Sequence, residues 1–268
     1  MLRFFIVFLS LTFPLFATGE TLLLLQGYLE DGDYWRKTGI TRILGEAGWH
    51  DAGHLRLGPQ GVRSTRPPPG SNPRFYTVSL PSEAPLLTQH GYLEQYLAYI
   101  QQQNPHDSLV LVGHSAGGIL GRLYMVQHPE AGVDTLITIA SPHLGTDTAE
   151  IGVAAGQSPL AWIAPLLGAG VFNRSQALYR DLIREQPGSL LFWLNRQEHP
   201  KARYLSIVRK EDGALGFGDL VVPAWSQDMN NVYALRGRAR SITVGGNHGL
   251  TESDGALLVR ILDRLKST

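Results

Sequence analysis

Along the chain, uninterrupted apolar runs alternate with segments whose apolar residues recur at helical spacing. Residues 21–26 (TLLLLQ), 108–112 (SLVLV) and 133–140 (VDTLITIA) are runs of strand length. Such runs fit strands covered on both faces, as in a parallel sheet. Residues 49–57, 74–80, 204–208 and 241–244 read as further strands. Residues 33–46 space Trp35, Ile40, Ile43 and Leu44 along one helical face. Residues 84–103 do the same with Leu86, Leu87, Leu93, Leu97 and Ile100, until Asn104 and Pro105 stop the helix. Residues 116–127 and 251–266 complete the helices, and the Pro- and Gly-rich stretch 58–73 reads as a loop. Strand–helix alternation without a repeat or linker predicts one α/β domain, a mostly parallel sheet flanked by helices.

Two segments leave this rhythm. Residues 1–17 (MLRFFIVFLSLTFPLFA) place Arg3 before an uncharged apolar run that ends near Pro14 and Ala17. This is the layout of a secretory signal peptide, cut near Ala17 or Gly19 to leave a domain over 20–268. The run is shorter than the roughly 20 residues a membrane span needs, so an uncleaved anchor is the second reading. Residues 151–172 carry no charge, but Pro159, Pro165 and several glycines interrupt them between two core strands. They are expected to form an apolar lid or cap within an insertion over about 146–198.

Composition narrows the function. With 43% hydrophobic residues the chain is not disordered. Basic and acidic residues are equal at 23 each, which argues against a nucleic-acid partner and against a polybasic membrane-surface protein. Removing Arg3 leaves 22 against 23. The absence of cysteine excludes disulfides, thiolate metal sites, cysteine nucleophiles and a lipid-linked N-terminus.

The most specific motif is Gly113-His114-Ser115-Ala116-Gly117, between a buried strand and a helix. That context makes it a nucleophile elbow: the sharp turn needs small residues two positions either side of Ser115 and lifts its hydroxyl above the sheet. Serine needs a base. In the chain order serine, acid, histidine, His248 in Gly245-Gly246-Asn247-His248-Gly249 fits best, on a short loop after the last strand. Asp219 in Gly218-Asp219-Leu220-Val221-Val222 is the expected acid, with Asp212 as runner-up. The backbone N–H groups of Ala116 and Tyr28 are the expected oxyanion donors, with Gly27 allowing close approach.

These stretches resemble the α/β-hydrolase superfamily, and within it compact lipases and related acyl hydrolases. LLLLQGYLEDGDYW, LVGHSAGG, ITIASPHLGT, GDLVVP and NHGL match in order over nearly the whole mature chain. The resemblance implies an α/β-hydrolase fold and carboxylic-ester hydrolysis through an acyl-enzyme. It places Ser141-Pro142-His143-Leu144-Gly145 beside the active site, with His143 a wall or positioning residue rather than the base. It also supports Asp219, through the D-x-V-V-like stretch. One departure is Gln26-Gly27 where such lipases carry His-Gly; glutamine keeps a polar side chain that can brace the loop. Gln26, Gly27, His114, His143 and Leu144 are expected to surround the substrate. The chemistry calls for no cofactor and no metal, and the sequence holds no calcium-ligand motif. The expected partner is a small-molecule or lipid ester, with transient contact at lipid surfaces and an exported address, periplasmic or secreted. Thioester or amide hydrolysis on the same triad, or a non-catalytic binding protein on this scaffold, are the rival readings.

Overall fold

β1 (Glu20–Leu25) explains why the apolar runs are uninterrupted. Leu23 and Leu25 enter one hydrophobic layer, Leu22 and Leu24 the other, and all four are fully buried. β5 (Ser108–His114) divides Leu109 and Leu111 from Val110 and Val112 in the same way. A strand covered on both faces has no solvent side for polar residues to mark. The computed structural model describes residues 19–67, 70, 72–157, 174–210 and 219–267. The expected signal segment 1–17, residues 158–172 of the expected lid, and Asp212 lie outside the described residues.

The remaining strands are β2 (His50–Gly58), β3 (Gly61–Ser64), β4 (Arg74–Val78), β6 (Val133–Ile139), β7 (Arg203–Lys210) and β8 (Ala239–Gly245). The described strands form one sheet in the order β3-β2-β4-β1-β5-β6-β7-β8. Every neighbouring pair is parallel except the β2–β3 hairpin. The sheet is mostly parallel, as the alternation predicts. Two local readings differ. Residues 33–46 split into α1 (Tyr34–Lys37) and α2 (Ile40–Glu46), because Gly39 takes a left-handed φ of +78° between them. β3 lies inside the stretch expected to be a loop; a four-residue edge strand, half exposed, carries little apolar signal.

The other helices are α3 (Leu86–Gln103), α4 (Ala116–Gln127), α5 (Asp147–Gln157), α6 (Gln176–Leu182), α7 (Leu190–Leu194), α8 (Ala224–Gln227) and α9 (Glu252–Lys266). α3 and α4 bring Leu93, Leu97, Ile119 and Leu123 into the layer of Leu23 and Leu111. α2 and α9 bring Ile40, Leu44, Leu258 and Ile261 into the layer of Leu22 and Val112. Because the strands run parallel, the loops after β1, β5, β6, β7 and β8 all leave the same edge of the sheet. That edge is where an open α/β sheet offers a crevice.

Candidate active site

Ser115 joins β5 to α4 at φ +51° and ψ −126°. Such a conformation costs of order 1–3 kcal/mol for a side-chain-bearing residue and persists only where its surroundings enforce it. Here the neighbours do. A Cβ on Gly113 would lie 2.4 Å from the Gly118 backbone, and one on Gly117 would lie 2.5 Å from the Gln26 carbonyl oxygen. The small residues flanking the serine are therefore a packing requirement of the turn.

His248, on the loop after β8, holds Nε2 3.0 Å from Ser115 Oγ and Nδ1 2.7 Å from Asp219 Oδ2. The Asp219 side chain is fully buried. Its Oδ1 accepts the N–H groups of Val221 and Val222, each at 2.9 Å, and Oδ2 also accepts Gln227 Nε2 at 3.1 Å. With His248 this makes four donors, which fill the acceptor sites of a carboxylate and fix its direction. In such a line the hydroxyl can pass its proton to Nε2, while the carboxylate stabilises the imidazolium that results.

β1 and β5 pair with Leu25 opposite Gly113, so the loop after β1 emerges beside the serine turn. A Cβ on Gly27 would come 2.9 Å from Ser115 Cβ, so only glycine lets this backbone approach so closely. No described residue accepts a hydrogen bond from Tyr28 N–H. Ala116 opens α4, so its N–H has no intrahelical partner either. Both donors are available to a substrate oxygen.

A cavity of about 260 Å³ opens beside Ser115, with Tyr28, Leu29, Pro142, Ile151, Tyr179 and Val221 among its walls. The Tyr28 and Tyr179 hydroxyls are 2.5 Å apart. Burial, and then that hydrogen bond, push the Tyr179 phenol above its ordinary pKa, so it stays protonated at neutral pH.

Gln26, Gly27, His114, His143 and Leu144, expected around the substrate, are not among the residues lining this cavity. They hold the reactive groups from behind. Gln26 Nε2 donates to the Glu30 carbonyl at 2.8 Å and to the Leu80 carbonyl at 3.3 Å, bracing the loop after β1. His114 Nε2 donates to the His248 carbonyl at 2.8 Å. The His143 N–H donates to the Ser226 carbonyl at 2.9 Å. The Leu144 N–H donates to Ser226 Oγ at 3.1 Å. These bonds anchor α8, whose Gln227 in turn holds Asp219. His143 is fully buried with Nε2 3.0 Å from Thr138 Oγ1. Burial, then the charge of Arg122, hold its imidazole far below the usual histidine pKa, so it stays neutral.

Three residues here escaped the sequence reading. Gln227 supports Asp219, Tyr34 Oη accepts the Leu250 N–H at 3.1 Å behind His248, and Glu30 contacts both Gly27 and His114. Glu30 stands in the run Leu29-Glu30-Asp31-Gly32-Asp33, where any of the acids reads as a solvated loop charge.

Among the described residues, one cluster has metal-ligand chemistry: His90 and Glu94, one turn apart on α3, with His128 at the end of α4. The imidazoles of His90 and His128 stack with centroids 5.3 Å apart and planes 12° from parallel. Stacked rings keep their in-plane lone pairs from converging on one ion. His128 Nε2 instead pairs with Glu94 Oε1 at 2.9 Å. The cluster sits at the far end of α4 from Ser115, about 18 Å away by helix rise.

A family model described as a PGAP1-like alpha/beta domain matches residues 74–150, the stretch from β4 past the nucleophile turn and into α5. An 84-residue stretch is 33% identical to GPI inositol-deacylase of Candida albicans, covering 28% of this chain and 22% of that protein. An 83-residue stretch is 30% identical to GPI inositol-deacylase A of Yarrowia lipolytica, covering 26% and 8%. The likeness thus spans less than a quarter of either relative's length. Among solved structures, the mature lipase BlEst2 of Bacillus licheniformis is similar at a TM-score of 0.58 and 16% identity, over 93% of this chain and 92% of that one. A gene product of Listeria innocua is similar at 0.58 and 14%, over 85% of each chain.

Proposed function

We propose that this chain, whose fold is that of lipase- and esterase-like α/β hydrolases, is an exported carboxylic-ester hydrolase. Ser115 is the nucleophile, His248 the general base and then acid, and Asp219 the residue that orients His248. The reading rests on one observation above all, the hydrogen-bonded line from Ser115 Oγ through His248 to the buried Asp219. His248 takes the Ser115 proton as Oγ attacks the ester carbonyl. The N–H groups of Ala116 and Tyr28 hold the oxyanion. The alcohol leaves with the proton from His248, and water releases the acid by the same route.

A lipid ester suits the cavity, whose walls are largely apolar. Each methylene buried there contributes about 0.8 kcal/mol, a factor of about four in kcat/KM. A series of p-nitrophenyl esters should therefore rise by about that factor per methylene until the cavity is full. A steep preference for acetate, with no action on emulsified triglyceride, would sink the lipid reading. The local likeness to GPI inositol-deacylases adds acyl esters of inositol to the substrate panel. Acyl thioesters and amides belong in the same panel, since the triad serves them too. Fluorophosphonate labelling tests the chemistry: wild type should label and Ser115→Ala should not. Labelling that survives the substitution, or none in wild type, counts against a serine hydrolase. Export rests on residues 1–17, and N-terminal sequencing of the mature protein should find it starting near residue 18 or 20.

A further inference from the structure

We infer that Glu30 is a positioning residue that ties the oxyanion loop to the His248 loop through the side chain preceding the nucleophile. The inference rests on the hydrolase reading above. Its geometry is a line of four groups. Glu30 Oε2 accepts the Gly27 N–H at 2.5 Å, on the loop that offers Tyr28 N–H. Glu30 Oε1 lies 2.6 Å from His114 Nδ1, an ion-pair distance without the alignment of a hydrogen bond. His114 Nε2 faces the His248 carbonyl at 2.8 Å. A carbonyl only accepts, so Nε2 carries the hydrogen. His114 directly precedes Ser115, so one carboxylate spans the oxyanion loop, the elbow and the backbone of the base.

The Glu30 and His114 side chains are 12% and 1% exposed. Burying charge is a poor route to stability, because desolvation costs several kcal/mol per ion and an apolar pair of equal volume often does as well. What a carboxylate supplies that an apolar side chain cannot is an acceptor for the Gly27 N–H and a negative charge against His114 on the same group. Its two oxygens hold the Gly27 backbone and the His114 ring at a fixed short distance from one group. The Tyr34 ring stacks on His114, with centroids 5.9 Å apart and planes 30° from parallel.

The consequence is kinetic. Without Glu30 the donors and His248 are no longer registered to one another. Misplacement of about 1 Å costs about 10² in rate. The test measures kcat and KM for p-nitrophenyl butyrate in the full chain, normalised to sites titrated with a fluorophosphonate, so that misfolded protein is not counted. Glu30→Gln keeps the shape but presents an amide donor to one of its two partners. Glu30→Ala removes both contacts. Both should lower kcat about 10–100-fold with KM held within about threefold. His114→Gln should lower kcat similarly, and Glu30→Gln/His114→Gln should lose little more than either single variant, as expected of groups on one line. If Ser115→Ala is inactive while both Glu30 variants keep wild-type kcat per titrated site, the positioning role is overturned and the hydrolase reading stands. Additive losses in the double variant also overturn the coupling. If wild type neither labels nor hydrolyses, the hydrolase reading falls and takes this role with it.

Discussion

Replacing Gly27 by alanine isolates the close approach of the β1 loop to the nucleophile. The added Cβ would lie 2.9 Å from Ser115 Cβ, about 0.5 Å inside the 3.4 Å where ordinary contact begins. It would also meet Glu30 Oε2 at 3.1 Å and His114 Nδ1 at 3.2 Å, two groups held by each other. The loop and the serine must therefore separate by about half an ångström. Gly27 is not among the described residues with positive φ, so alanine brings no backbone strain. The overpacking costs about 1 kcal/mol, or about 2–4 °C in Tm for a chain of this size. The kinetic effect is far larger. Losing one oxyanion donor costs about 10²–10³ in rate, and a displacement below 1 Å falls at the lower end of that range. We expect Gly27→Ala to lower kcat about 10²-fold at nearly constant KM. The assay is steady-state hydrolysis of p-nitrophenyl butyrate per titrated site, beside a thermal melt. Wild-type kcat in a variant that melts within a few degrees of wild type would refute the assignment of Tyr28 N–H to the oxyanion.

Other changes probe the scaffold. Ser115→Gly should abolish hydrolysis yet raise stability by about 1 kcal/mol, because glycine accepts the φ of +51° without strain; urea unfolding at equal or lower stability would contradict the strain argument. Arg209 and Asp254 form a buried pair with both contacts at 2.7 Å, joining the end of β7 to the first turn of α9. Asp254→Ala should cost about 3–5 kcal/mol in urea unfolding by stranding the guanidinium, and a loss under about 1 kcal/mol would count against it. Burial, then the Arg122 charge, push His199 down to about 3, and the same causes lower His143. The unfolded chain binds these protons first, at its ordinary histidine pKa of about 6.5. The stability they contribute is thus whole above about pH 6.5 and drains as pH falls toward 3. Urea unfolding should be easier at pH 5 than at pH 7, with a shallower slope in His199→Gln; stability that is flat over this window would refute it.

The buried strands are readable because residues 22–25 of β1 and 109–112 of β5 each face a hydrophobic layer and are all apolar, and the elbow because glycines at Gly113 and Gly117 answer a local steric demand. Asp219 stands out by its Gly-Asp-Leu-Val-Val stretch, and His248 by a glycine-flanked loop just after the last strand. What stayed hidden depends on meetings across the chain. Gln227 and Glu30 look like ordinary surface residues until the fold aims them at Asp219 and His114. His143 and Leu144, expected near the substrate, also bond through their backbone to Ser226, in the segment that holds Asp219. β3 was hidden for a different reason: half-exposed edge strands have no hydrophobic signature to read.

Among the described residues, β8 is the outermost strand on its side of the sheet, bonded only to β7. The serine turn and its donor loop spring from β5 and β1, in the middle of the same sheet. The contact between Ser115 and His248 thus joins the middle of the sheet to its rim. A slip of β8 by two residues would carry His248 back by about 6.6 Å, out of reach of Ser115 Oγ. Rims open at lower free energy than centres. The reach of His248 toward Ser115 is therefore set by the register of one border strand against β7.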